Sequence, residues 1–143
     1  MKEIRTEISI SATPEQIWTV LSDFKKYADW NPFIRSISGK AIAGEILNVS
    51  ILPPGGSPMH FRPVVLCSDA EREFRWKGKL IIKGLFDGEH YFLIRDNGDG
   101  SSAFIQGEKF SGLLVPMVAK ALENTEQGFK SMNEALKLRC EQL

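Results

Sequence analysis

The sequence predicts an α+β fold in which a curved antiparallel sheet of seven strands surrounds a long C-terminal helix, with two short helices after the first strand. Three observations predict it. The first residues alternate apolar and polar with a period of two. The middle of the chain is a series of short strand-like runs separated by turn residues. From Gly112 onward the apolar residues step by three and four, the period of a helix. Consecutive strands joined by short loops pair antiparallel, and such a sheet must fold around its one amphipathic helix to bury that helix's stripe.

Residues 2–12 place Ile4, Thr6, Ile8 and Ile10 on one face and Glu3, Arg5, Glu7 and Ser9 on the other, which describes a half-buried strand. Thr13-Pro14-Glu15-Gln16 then starts a helix: Thr13 caps, Pro14 suits the first helical position, and Gln16 stands where a capping box needs it. Ile17, Trp18, Val20 and Leu21 form the apolar stripe of this helix, which ends near Ser22 or Asp23. A second helical turn, Phe24 to Asp29, stops at Trp30-Asn31-Pro32, because the residue before a proline avoids helical backbone.

Strands are expected near 34–42, 45–52, 58–68, 71–82, 88–95 and 102–111. The breaks between them are Ala43-Gly44, Pro53-Pro54-Gly55-Gly56, Ser68-Asp69-Ala70, Lys83-Gly84 through Asp87-Gly88, and the hairpin loop Asp96-Asn97-Gly98-Asp99-Gly100. Asp87-Gly88 is also readable as the tight turn itself, which would move the neighbouring boundaries. Val118, Leu122, Thr125, Phe129, Met132 and Leu136 then make one stripe on a helix expected over 113–139, with Pro116 in its first turn. Gly128 lies inside it at a cost of ~1 kcal/mol relative to alanine, and either lets the helix approach the sheet closely or leaves room beside Phe129.

The 143 residues fit one domain, 1–143, without internal repeats or linkers. Eighteen basic side chains balance eighteen acidic ones, which argues against nucleic acid or an anionic membrane as the main partner. At 43% hydrophobic and 25% charged the composition is that of a folded protein with a real core. No run approaches the ~20 apolar residues of a membrane span, and the alternating N-terminus is a strand and not a signal peptide. Cys67 and Cys140 lie far apart and belong to no metal-ligand or CxxC pattern, which suits idle thiols in a reducing, cytoplasmic location. His60 has no second histidine at ligand spacing, Ser111-Gly112 lacks a nucleophile elbow, and there is no phosphate-binding glycine loop, so no metal or other cofactor is expected.

Several strings in this order resemble the START/Bet v 1-like (SRPBCC) superfamily, whose architecture is the helix-grip fold, and within it the polyketide cyclase/dehydrase branch. They are Ser11-Ala12-Thr13-Pro14-Glu15-Gln16-Ile17-Trp18, Tyr27-Ala28-Asp29-Trp30-Asn31-Pro32-Phe33, Trp76-Lys77-Gly78, Gly88-Glu89-His90-Tyr91-Phe92 and Gly107-Glu108-Lys109-Phe110-Ser111-Gly112. The similarity covers essentially the whole chain, and each motif alone is short and degenerate. The resemblance implies a cavity between sheet and long helix that holds a hydrophobic ligand, partly lined by the helix stripe at Val118, Leu122 and Phe129. It carries over no catalytic residue, since members bind or transform many different apolar molecules.

Strand parity supplies the rest of the expected lining. On the strand at 102–111, Phe104 and Phe110 share a face with Gln106 and Glu108. His90 shares a face with Phe92 and Ile94, and across the hairpin it should oppose Gln106 or Glu108. Trp76, Gly78 and Leu80 supply the neighbouring inner face; Trp30 and Phe33 either form the cavity mouth or pin the second helix to the sheet. Trp76, Phe92, Phe110 and Phe129 are expected to hold one cavity open. Buried polar groups need partners, so His90, Gln106 and Glu108 either satisfy one another or orient a polar group of a ligand. With the resemblance, three functions are expected: binding of a lipid-like, aromatic or polyketide-like molecule; cyclase or dehydratase chemistry on one, with His90 or Glu108 as general base; or a co-chaperone-like interaction module using the outer surface. A cavity of roughly 300–1,000 Å³ favours the first two and a filled interior the third.

Overall fold

A computed structural model describes residues 2–79, 87–111 and 115–142, the side chains of 79 and 115–119 excepted. In order, the elements are β1 (Lys2–Ile10), α1 (Pro14–Ser22), a 3-10 turn (Phe24–Lys26), α2 (Tyr27–Trp30), β2 (Ile34–Ser38), β3 (Asn48–Ile51), β4 (Met59–Phe61), β5 (Val64–Asp69), β6 (Glu73–Lys79), β7 (Asp87–Asp96), β8 (Ser102–Ser111) and α3 (Val115–Glu141). Among the described residues this is the expected α+β order, with one more strand.

The local signals act as read. Thr13 Oγ1 accepts from Gln16 N at 3.2 Å while Gln16 Oε1 accepts from Thr13 N at 2.9 Å, closing the capping box. Asn31 stops α2 and its Oδ1 accepts from Phe33 N and Ile34 N at 2.9 and 2.8 Å, turning the chain into β2. The 96–101 loop is held by Asp96 and Asp99, whose carboxylates accept from Gly98 N and Ser101 N, with Gly98 and Gly100 in left-handed backbone. In β1, Ile4, Thr6 and Ile10 are buried and Ile8 partly so, the alternation the sequence carries.

The strands form two antiparallel sheets, and not one of seven: β1-β8-β7-β6-β5 and β2-β3-β4. The run expected at 58–68 divides at Arg62-Pro63, since a proline has no N–H for the ladder, so β4 pairs with β3 and β5 with β6. The runs expected at 34–42 and 45–52 are shorter. β2 stops before Gly39 (φ +118°), and 44–47 instead bonds the edge of β5 through Gly44 N to Val65 O, Val65 N to Glu45 O and Leu47 N to Pro63 O. That segment stitches the small sheet to the large one. Asp87-Gly88 lies within β7 and is not a tight turn.

Helix α3 runs unbroken through Gly128 for 27 residues, about 40 Å. Its stripe buries Leu122, Phe129, Met132, Leu136 and Cys140. Phe33 explains the glycine: a Cβ at 128 would overlap the Phe33 ring, so the missing side chain is what lets the residue just before β2 reach the helix. Near the other end, Glu141 Oε2 accepts from Ser11 N at 2.8 Å and Lys137 Nζ donates to Ser9 O at 3.0 Å, pinning the helix to the end of β1. Among the described residues no helix is long and apolar enough to cross a membrane. A second, smaller apolar cluster (Tyr91, Ala103 and Ile105, with Leu93) buries the opposite face of β7 and β8.

Candidate functional site

Adjacent strands β7 and β8 carry the polar residues. His90 is directly opposite Glu108, and Phe92 opposite Gln106. The side chains meet as hairpin pairing requires: His90 Nδ1 lies 3.0 Å from Glu108 Oε1 and His90 Nε2 lies 3.0 Å from Gln106 Oε1. Gln106 Nε2 donates onward to Asn133 Oδ1 at 2.8 Å, Asn133 Nδ2 donates to Thr6 Oγ1 at 2.8 Å, and Thr6 Oγ1 donates to the Gln106 carbonyl at 2.8 Å. All five residues are buried. One hydrogen-bonded chain therefore crosses the core from β1 and α3, where Thr6 and Asn133 border an open groove, to β7 and β8.

Its inner end opens on a pocket bordered by Phe33, Ile34, Ile51, Met59, Phe61, Trp76, Phe110 and Thr125, with His90 and Glu108 in its wall. Glu108 has room to reach it because position 88 is glycine: a Cβ there would overlap Oε2. Trp76 stacks on the imidazole with centroids 5.0 Å apart, and Phe92 and Phe129 close on the same ring at 4.7 and 4.9 Å.

The pocket measures about 30 Å³, room for about two waters, and not several hundred. The physical reason is the aromatic cluster itself. The rings expected to hold a void open interlock around His90 instead, and Phe92 and Phe129 are fully buried in the core and do not border the pocket. Five of the expected residues do border it: Phe33, Trp76, His90, Glu108 and Phe110. Gln106 stands one layer behind, covered by α3. Leu122 is buried in the core. Trp30 packs on Tyr27, its rings 5.2 Å apart, and its Nε1 is buried without a hydrogen-bond partner. Leu80 lies outside the described residues, as does the side chain of Val118.

Sequence reasoning missed Thr6 and Asn133 as partners of the trio, although both carried a signal. Thr6 is the polar residue on the apolar face of β1, and Asn133 falls four residues after Phe129, on the buried side of α3. It also missed Met59 and Phe61, which come to the pocket because β4 folds back over β3. Among the described residues no group of three His, Cys, Asp or Glu side chains is placed to hold a metal ion.

The family described as "Polyketide cyclase / dehydrase and lipid transport" matches residues 1–141. No curated protein matches the chain. Solved structures share the fold at low sequence identity. A START superfamily protein from Mycobacterium smegmatis is 21% identical with a TM-score of 0.74, over 98% of this chain and 97% of that one. The Zhui aromatase/cyclase from a Streptomyces species reaches a TM-score of 0.81 at 13% identity, over 98% and 93%. Norcoclaurine synthase from Thalictrum flavum, solved with dopamine and hydroxybenzaldehyde, gives 0.74 at 18% identity, over 99% and 87%.

Proposed function

The chain belongs to the polyketide cyclase/dehydrase and lipid transport family, and from that premise we propose that it binds an apolar, oxygen-bearing small molecule in the pocket between the two sheets and α3. One observation carries the reading. A wall that is mostly apolar, with Phe33, Ile34, Ile51, Met59, Phe61, Trp76 and Phe110 beside Thr125, includes the carboxyl group of Glu108, backed by His90. A buried carboxyl group is costly, and one turned toward a pocket is placed where a ligand's polar group can meet it. The relatives' solved with aromatic ligands, or described as cyclases, support a ligand of that kind and not any particular reaction.

Entry requires the small pocket to widen. Met59 and Phe61 on the three-residue β4 are the side chains with least holding them, since both are only partly buried, and Met is flexible. Binding is thus expected to displace β4 side chains while the chain of hydrogen bonds behind Glu108 stays intact.

The small size of this pocket also favours a second reading, an interaction module, and Ile42, Ile46, Val64 and Leu66 are exposed around the β5 edge. Such a module has no use for the Glu108 carboxyl group in the pocket wall, which is why ligand binding is preferred. Native mass spectrometry of protein purified from its source tests the choice by detecting a retained small molecule. An apolar fluorescent dye gives the second test: Trp76→Ala and Phe110→Ala should change its affinity several-fold. Unchanged affinity in both folded variants, with no retained ligand, would move the function to the outer surface.

A further inference from the structure

Every hydrogen in the chain behind the pocket is placed by a group that can only accept. The Gln106 carbonyl has no hydrogen to give, so the Thr6 hydroxyl, 2.8 Å away, spends its own there. The Thr6 oxygen then accepts from Asn133, which must present its NH2. Asn133 Oδ1 is left to accept from Gln106 Nε2, and the same amide nitrogen faces the Phe129 carbonyl at 3.4 Å, which again can only accept. Gln106 therefore turns Oε1 toward His90, and His90 Nε2 carries a hydrogen.

That leaves His90 Nδ1 facing Glu108 Oε1 at 3.0 Å. Two lone pairs do not face each other at that distance in a buried site, so one proton lies between them, whichever atom holds it. The pair is neutral as a whole and its proton is committed inward. Glu108 borders the pocket, and its Oε2, beside Gly88, is then an acceptor with no hydrogen and no hydrogen-bond partner among the described residues.

We infer that this pocket selects a hydroxyl that donates, a phenol or an enol on an apolar body, over a carbonyl. The inference rests on the ligand-binding reading above. A ligand O–H donates to Oε2 without disturbing any other bond. A carbonyl needs a hydrogen on Oε2. Moving the shared proton there leaves Nδ1 and Oε1 as opposed acceptors, and adding a second proton puts a net charge in the interior. Neither cost arises for a hydroxyl, and an acceptor that is part of a charge-sharing pair bonds it strongly.

The test is titration of the full chain with phenol, benzaldehyde and toluene at neutral pH, followed by NMR. Phenol is expected to bind about tenfold or more tightly than benzaldehyde, the size of one charge-assisted hydrogen bond. The preference for phenol over toluene should fall about tenfold in Glu108→Met, which removes the acceptor, and in Gly88→Ala, whose Cβ takes the place of Oε2. The second variant serves if the first does not fold. Benzaldehyde binding as tightly as phenol, or a phenol preference unchanged in the folded variants, overturns the inference and leaves ligand binding standing. Absence of binding by all three probes overturns the ligand reading and the inference with it.

Discussion

The ring of Phe33 occupies the space that a side chain at position 128 would need, so the residue just before β2 touches α3 at a glycine in the middle of the helix. The ring also meets Phe129 edge-on with centroids 5.5 Å apart and borders the pocket. One contact thus joins the helix position to the pocket wall.

Gly128→Ala is expected to destabilise the protein. Alanine in a helix interior gains about 1 kcal/mol over glycine, but overpacking a filled core costs about 1–3 kcal/mol. Phe33 is a buried ring and has little freedom to give way, so the clash should win by about 1 kcal/mol. Denaturant unfolding measures the difference, and a more stable variant would show that the ring can leave.

Thr6→Val keeps the size of the side chain and removes the hydroxyl that starts the hydrogen-bond chain. It strands the Asn133 amide hydrogen in a buried site, at about 1–3 kcal/mol. Thr6→Ser should recover most of this in the same unfolding measurement. Equal stability of wild type and Thr6→Val would mean that water already satisfies this group.

Tyr91 sets an alkaline limit. Burial first, and then its hydrogen bond to the Glu3 carboxylate at 2.5 Å, push its phenol up to about 12 from 10.0. A phenol that ionises later in the folded state contributes stability that is whole below pH 10 and is lost as pH rises from 10 toward 12. Tyr27, fully buried with its hydroxyl donating to Leu21 O, shifts in the same direction. Tyr91→Phe should therefore flatten part of the alkaline fall and leave Tyr27's part. An absorbance titration showing a normal phenol in the folded protein would sink this account.

The two thiols should label in order. Burial raises the Cys140 thiol to about 11 and, with the Glu73 and Asp69 charges, also raises Cys67, but only Cys140 is closed off in the core. A thiol reagent followed by mass spectrometry should modify Cys67 in the native protein and Cys140 only on unfolding. Early labelling of Cys140 would mean that the end of α3 opens readily.

The sequence by itself determined the elements and their faces, because those follow from local periods. Alternation in 102–111 placed Gln106 and Glu108 on one side, hairpin pairing brought His90 to them, and the Thr13 capping signals located α1 within a residue. Only the tertiary structure decided which of these residues reach open space. Glu108 does because residue 88, on the neighbouring strand, is glycine; Gln106 does not because Phe129 and Asn133 of α3 lie over it. The size of the pocket was likewise beyond any local pattern. It is what remains after rings from β6, β7 and α3 pack around one imidazole, and close packing among side chains of different elements leaves no trace in the period of any single strand or helix.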